Sequence, residues 1–289
     1  GMLYGEKQTL IAFLISAAIS LLLGLLPKLF LRPKTHVIYA KEGFIIVAFT
    51  WIMLSLVGAV PLVLAGAVTS YVDAFFEIVS GFTTTGSSVI PDVEVLSHGA
   101  LFWRSFTHWV GGMGIIVFVM AILPNVSERP IHILRAEIPG PTVGKLVPRI
   151  KDTALILYLI YIGMTVIETI MLLFGGMSFF ESLLHAFGTA GTGGFGIKRD
   201  SIAGYSPYIQ WVITAFMILF GINFNLYYLM LLKKFKAVVT STELWAYLGI
   251  IASSIAVISW NIRHLFVGAE ETVRAAAFQV SSIISTTGY

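Results

Sequence analysis

Cysteine is absent from the 289 residues, which excludes a disulfide framework and any thiolate metal site. Charge is also scarce: Asp, Glu, Lys and Arg make up 11% of the chain, against roughly a quarter in a soluble domain. So few charges cannot cover a water-facing surface of this size, and lipid is expected around most of the chain. Catalytic signatures are missing as well. No nucleophile–base arrangement, phosphate loop or hydrolase elbow is present. The fragments Gly111-Gly112-x-Gly114 and Gly191-x-Gly193-Gly194 follow no strand and are not nucleotide motifs. His108 and His185 have no carboxylate or second histidine at helical ligand spacing, which argues against a transition-metal site. Neither an enzyme nor a covalent cofactor is expected.

What is present is apolar: 57% of the residues are hydrophobic and the mean hydropathy is +0.90. Two kinds of apolar segment alternate. The long ones cover 10–30, 43–67, 101–123, 153–174, 209–232 and 244–262; as helices each reaches about 30 Å, enough to cross the hydrocarbon core. The first is too long for a signal-peptide core and has only Lys7 before it, so it reads as a spanning helix. The short ones, 72–84, 179–190 and 271–285, reach only about 20 Å, which suggests entry and return on one side.

Each short segment runs into a similar cluster: Thr84-Thr85-Gly86-Ser87, Gly191-Thr192-Gly193-Gly194 and Thr286-Thr287-Gly288-Tyr289. Aligning the Thr-Gly steps puts Gly86, Gly193 and Gly288 in register and leaves Gly191 where the other two turns have threonine. The period, near 100 residues, marks a repeat of long helix, short helix, Thr-Gly turn and long helix. The predicted organisation is an N-terminal transmembrane helix and linker (1–40), a first helix–pore–helix unit (41–124), a linker (125–150), a second unit (151–236) and an incomplete third unit (237–289). The chain is therefore expected to be part of a longer protein.

Twelve of the eighteen basic residues fall between units: Lys28, Arg32, Lys34 and Lys41, then Arg129, Arg135, Lys145, Arg149 and Lys151, then Lys233, Lys234 and Lys236. The positive-inside rule makes these linkers cytoplasmic and opens the Thr-Gly turns to the outside.

Non-helical backbone at membrane depth is tolerated only where protein buries it or water lines it. Glycine admits positive φ, letting successive carbonyls point one way, and threonine adds an uncharged oxygen. Carbonyl rings of this kind replace the hydration shell of potassium, and the short helices would aim their partly negative C-termini at the same place. A single Thr-Thr-Gly carries little, since membrane glycines usually serve close packing; three at a regular period point to a cation filter. The expected filter residues are Thr84, Thr85, Gly86, Ser87, Gly191, Thr192, Gly193, Gly194, Thr286, Thr287, Gly288 and Tyr289. Potassium is to be held through Thr84, Thr85, Gly191, Thr192, Thr286 and Thr287.

Other positions keep two readings each. Gly112 and Gly114 read as a hinge or as a close helix contact. Asn223 and Asn225 line a cavity below the filter or bond between helices. Glu168, the only carboxylate well inside a long helix, is a functional candidate or meets water near the outer end. For Glu77 and Arg274, on the short helices, buried pairing is favoured over ion contact.

In combination, Ser80-Gly81-Phe82-Thr83-Thr84-Thr85-Gly86, Trp109-Val110-Gly111-Gly112-Met113-Gly114-Ile115, Leu134-Arg135-Ala136-Glu137-Ile138-Pro139-Gly140-Pro141, Thr192-Gly193-Gly194-Phe195, Gly221-Ile222-Asn223-Phe224 and Ser285-Thr286-Thr287-Gly288-Tyr289 closely resemble the Trk/Ktr/HKT potassium transporter superfamily. The linker motif and the helix before unit one resemble its bacterial TrkH branch more than KtrB. The resemblance implies an all-α integral membrane protein, with four helix–pore–helix units around a pseudo-fourfold pore. It implies one filter glycine per unit, mapped here onto Gly86, Gly193 and Gly288, with potassium as the transported ion. It implies channel-like or symporter-like uptake across a bacterial inner membrane, a homodimer, and a cytoplasmic nucleotide-binding regulatory subunit of the TrkA kind; nucleic acid is not an expected partner. The rival reading is a secondary transporter binding a small solute or sodium at broken helices. Against it, each unit begins on the cytoplasmic side, so the repeats run in the same direction.

Overall fold

The computed structural model describes residues 1, 3–30, 40–114 and 150–289. The linker motif at 134–141 and the basic residues Arg32, Lys34, Arg129, Arg135, Lys145 and Arg149 lie outside the described residues. Among the described residues all regular structure is helical. The elements are α1 (Lys7–Phe30), α2 (Ala40–Leu64), α3 (Tyr71–Phe82), α4 (His98–Gly112), α5 (Ile150–Phe174), α6 (Phe179–Ala190), α7 (Pro207–Phe220), α8 (Phe224–Leu231), α9 (Phe235–Val239), α10 (Thr242–Ile262) and α11 (Ala269–Ile284).

Four of these, α1, α2, α5 and α10, contain stretches long and apolar enough to cross a membrane. Large side chains such as Leu14, Leu22, Phe44, Ile167 and Val257 stand exposed on them, as expected where the outer solvent is hydrocarbon. The three short helices α3, α6 and α11 follow α2, α5 and α10 and pack back against them. The starts of α3 and α6 are written in the sequence, while α11 begins after Gly268 without a side-chain cap. Ser70 Oγ accepts the Asp73 N–H at 3.4 Å. Ser178 and Glu181 form a reciprocal capping box. The helices that follow the first two turns start the same way, α4 with Ser97 and α7 with Ser206 as N-caps.

Two apolar clusters hold the units together. One joins α2, α3 and α4 through Ala59, Leu62, Ile78, Phe82 and Val110, with Leu184 of α6 added from the next unit. The other joins α5 and α7 through Tyr161, Leu172, Ile213, Met217 and Phe220. Leu184 in the first cluster and Trp109 packed against the second place α4 of unit one directly on α6 of unit two.

One expected crossing is not a single helix. The segment 209–232 is not a continuous helix: it breaks after Phe220, and α8 leaves at 86° to α7. Gly221 caps α7, and the Asn223 side chain accepts the Asn225 N–H at 3.0 Å, which starts a new helix in a new direction. The apolar pattern runs through the break because both halves are made of apolar side chains, so hydropathy alone misses it. The expected crossing at 101–123 is described as helix only to Gly112; its remainder from 115 lies outside the described residues.

Candidate ion filter

The short helices end alike. After the C-caps Thr83, Gly191 and Ser285, all at negative φ, the backbone turns to positive φ at Thr84 (54°), Thr192 (53°) and Thr286 (60°), and again two residues later at Gly86 (76°), Gly194 (68°) and Gly288 (78°). In an extended strand successive residues face opposite sides; alternating the sign of φ brings successive carbonyls to one side. A threonine at positive φ costs about 1–3 kcal/mol. Short bonds to the helix end hold it there: Thr84 N–H to Gly81 O at 3.1 Å, Thr192 N–H to Thr189 O at 3.0 Å, and Thr286 N–H to Ile283 O at 3.1 Å.

This pattern corrects the register read from the sequence. Gly194, not Gly193, is the counterpart of Gly86 and Gly288, and Gly193 takes the place of Thr85 and Thr287. Gly191 corresponds to Thr83 and Ser285, at the helix cap. In units one and three the cap and the middle residue bond through their hydroxyls, Thr83 to Thr85 at 2.8 Å and Ser285 to Thr287 at 2.7 Å. Unit two has two glycines there, and His108 of α4 takes the space: a Cβ on Gly191 would run into the His108 carbonyl, and one on Gly193 into its imidazole. The Thr-Gly step misled the alignment because unit two traded both hydroxyl side chains for room.

The three turns meet. A Cβ on Gly86 would strike the carbonyl oxygen of Gly193, with Thr287 O 3.8 Å away; a Cβ on Gly194 would strike the Thr287 carbonyl. At Gly288 a Cβ would meet nothing within 4 Å. Each glycine that has a neighbour is thus overhung by the middle carbonyl of the next turn. Helices α3, α6 and α11 all deliver their C-terminal, partly negative ends to this place.

The residues after Gly194 and Gly288 pack against neighbouring helices. Phe195 stacks on His108 at 3.9 Å between ring centres, and the Arg104 guanidinium lies 4.2 Å above it. Tyr289 donates its hydroxyl to His185 O at 3.0 Å. Its side chain therefore supports the filter from behind, while Ser87, its counterpart in unit one, is exposed.

Behind the first turn Glu77 and Arg104 are both buried and pair at 2.7 Å. Glu77 also accepts from Ser88 Oγ at 2.9 Å and Val89 N at 3.0 Å, which ties down the chain just past Gly86. Arg104 was not singled out in the sequence, although a lone arginine in an otherwise apolar helix is such a signal. Arg274 pairs with Glu270 at 3.0 Å and also bonds Gln210.

Above the filter a vestibule of about 560 Å³ is bounded by Gly86, Asp92, Gly194, Lys198, Arg199 and Gly288. Arg199 bridges the loops that follow the first and second turns by bonding Asp92, and its N–H donates to Glu94 at 3.1 Å. That bond with Arg199 holds the Asp92 carboxyl below the usual aspartate range. Below the filter a cavity of about 340 Å³ is lined by Gly112, Thr192, Phe220, Asn223, Asn225 and Glu243. Asn223 reaches both Glu243 oxygens at 3.3 Å, so it lines the cavity and bonds between helices as well. Gly112 is a close contact, since a Cβ there would press on Gly191 Cα, and Gly114, at φ 78°, ends the described stretch of unit one.

Residues 9–252 match the model of the TrkH family, described as a cation transport protein. The chain is 35% identical over 266 residues to the Trk system potassium uptake protein TrkH of Escherichia coli K12, covering 89% of this chain and 55% of that protein. It is 34% identical over 301 residues to TrkH of Halomonas elongata, covering 96% and 59%. The chain thus spans somewhat over half the length of the curated relatives it matches. The crystal structure of the potassium transporter TrkH from Vibrio parahaemolyticus superposes with a TM-score of 0.80 at 29% identity, over 94% of this chain and 57% of that one. With the family model matched over most of its length and relatives above 30% identity, the chain belongs to the TrkH family of cation transport proteins.

Proposed function

We propose that this chain supplies three of four filter turns of a potassium uptake pore in a bacterial cell membrane. The observation that carries the reading is the overhang of Gly86 by the Gly193 carbonyl and of Gly194 by the Thr287 carbonyl. The same contact made twice, with space beside Gly288, suits a fourth turn and a pseudo-fourfold ring. Potassium sheds water onto the carbonyls of Thr85, Gly193 and Thr287 and the flanking threonine oxygens. Helix C-termini add negative potential without a fixed charge that would trap the ion. Inward flux follows the membrane potential, which contributes about 2.3 kcal/mol per charge at 100 mV. The ion then enters the cavity beside Asn223, Asn225 and Glu243.

The segments 41–124 and 151–236 act as whole units, 237–289 as the start of a third, and 1–40 and 125–150 as helix-plus-linker and linker. The relatives' "Trk system" names support further components, for which a cytoplasmic nucleotide-binding regulatory subunit and a homodimeric pore are the expected arrangement. The test is potassium uptake by the full-length protein in an uptake-deficient bacterium. Gly86→Asp abolishes growth at low potassium if Gly86 is part of the filter; uptake and selectivity unchanged in that variant refute the assignment. The break between α7 and α8 favours a second reading, a solute site at broken helices, for which saturable transport of an organic solute without cation conductance would be diagnostic.

A further inference from the structure

Glu168 sits in α5 on the face toward α6 and is fully buried. It does not meet water near the outer end of the helix. Neither carboxyl oxygen accepts a hydrogen bond of good geometry from the described residues. Glu77 is the useful contrast: equally buried, it is satisfied by Arg104, Ser88 and Val89. An ionised carboxylate only accepts hydrogen bonds, whereas a protonated one also donates.

The hydroxyls of Thr189, Thr165, Thr169, Tyr161 and Tyr289 all donate to main-chain carbonyls. Thr189 faces it but donates to His185 O at 2.9 Å. Thr165 donates to Tyr161 O and Thr169 to Thr165 O, both at 2.8 Å. Tyr161 donates to Trp109 O at 2.9 Å, and Tyr289 to His185 O. Titratable neighbours are Tyr158 and Tyr161 on the same helix, His185 and, bonded to Ser178 and Tyr205, Glu181 on α6, and Tyr289 beyond α11. The other helices packed on α5, α7 and α8, bring only Tyr208, Tyr227 and Tyr228. Among the described residues no lysine or arginine pairs with Glu168. Thr189 retains lone pairs, so a donor from Glu168 is what fits.

We propose that Glu168 is a proton-binding site behind the second filter turn, holding a proton that it donates to the Thr189 hydroxyl. The link to the pore is short: the Thr189 carbonyl anchors the Thr192 N–H at 3.0 Å, at the positive-φ residue of the turn. Loss of the proton places an unpaired negative charge behind Thr192 and Gly193 and removes the bond to Thr189, which strengthens cation binding there. Protonation of Glu168 thereby sets the field of the second turn.

The test uses the full-length protein in lipid vesicles and pH-difference infrared spectroscopy. A protonated-carboxyl C=O stretch at neutral pH is expected, shifted in D2O and lost in Glu168→Gln; it moves to higher frequency in Thr189→Val, where the acceptor is gone. Glu168→Gln, an isostere that still donates to Thr189, matches wild-type uptake at neutral pH and loses the change in cation affinity that alkaline pH brings to the wild type. A band region unchanged by Glu168→Gln overturns the proposal. So does an alkaline response that Glu168→Gln retains. The infrared readout needs no transported ion, so its failure is distinct from failure of the potassium assignment.

Discussion

Replacing Glu77 by Gln probes how the first filter turn is held. The carboxylate is fully buried and faces Arg104, itself only 2% exposed, at 2.7 Å, while also accepting from Ser88 and Val89. Glutamine keeps an oxygen for Val89 and Ser88 but removes the charge opposite the guanidinium. Stranding one member of a buried pair costs about 3–5 kcal/mol, whereas replacing both with groups of similar volume is far cheaper. Arg104→Met alone strands Glu77 at a similar cost, although methionine still packs on Phe195. The double variant, Glu77→Gln with Arg104→Met, should recover about 2 kcal/mol or more of the summed losses. The assay is thermal unfolding of the purified full-length protein in detergent, read beside potassium-over-sodium discrimination in vesicles. Because Glu77 anchors the residues just past Gly86, both single variants should also lose discrimination. Additive destabilisation, with no recovery in the double variant, refutes the idea that the pair acts as one unit behind the filter.

Gly193→Thr restores the residue type of the other two turns yet should abolish uptake, because the new side chain meets the His108 ring; adding His108→Ala should return measurable flux, and rescue is the readout. The described chain lacks cysteine, so Ser87→Cys in an otherwise cysteine-free full-length protein should be labelled by a membrane-impermeant thiol reagent from outside only, more slowly in potassium than in choline. Labelling from the cytoplasmic side instead inverts the topology. The Asp92–Arg199 bond lowers the Asp92 carboxyl below its ordinary value of 3.8. Its contribution is therefore complete above that value and is lost as pH falls through the lowered one. Carbon-13 NMR of the Asp92 carboxyl should give a midpoint under 3.8 that rises in Arg199→Gln.

Much of this architecture is local and could be read directly. Runs of about 20 apolar residues with few charges have one stable setting, and the short segment 179–190 coincides with α6 because Ser178 and Glu181 start it and the Gly191-Thr192 cap ends it. The residue types of the turns were equally legible, since each short segment runs straight into a cluster of threonine and glycine. The break at Gly221–Asn223 was not, because hydropathy measures burial and is blind to direction. The register of the second turn was hidden for a related reason: which glycine adopts positive φ, and which merely makes room for His108, depends on a helix more than 80 positions earlier in the chain. Sequence alone thus determined that three short helices each run into a turn built of threonine and glycine. Only tertiary packing decided that Gly86 lies under the Gly193 carbonyl and Gly194 under that of Thr287, because convergence of distant backbone atoms is a property of how the units pack and has no periodicity to betray it.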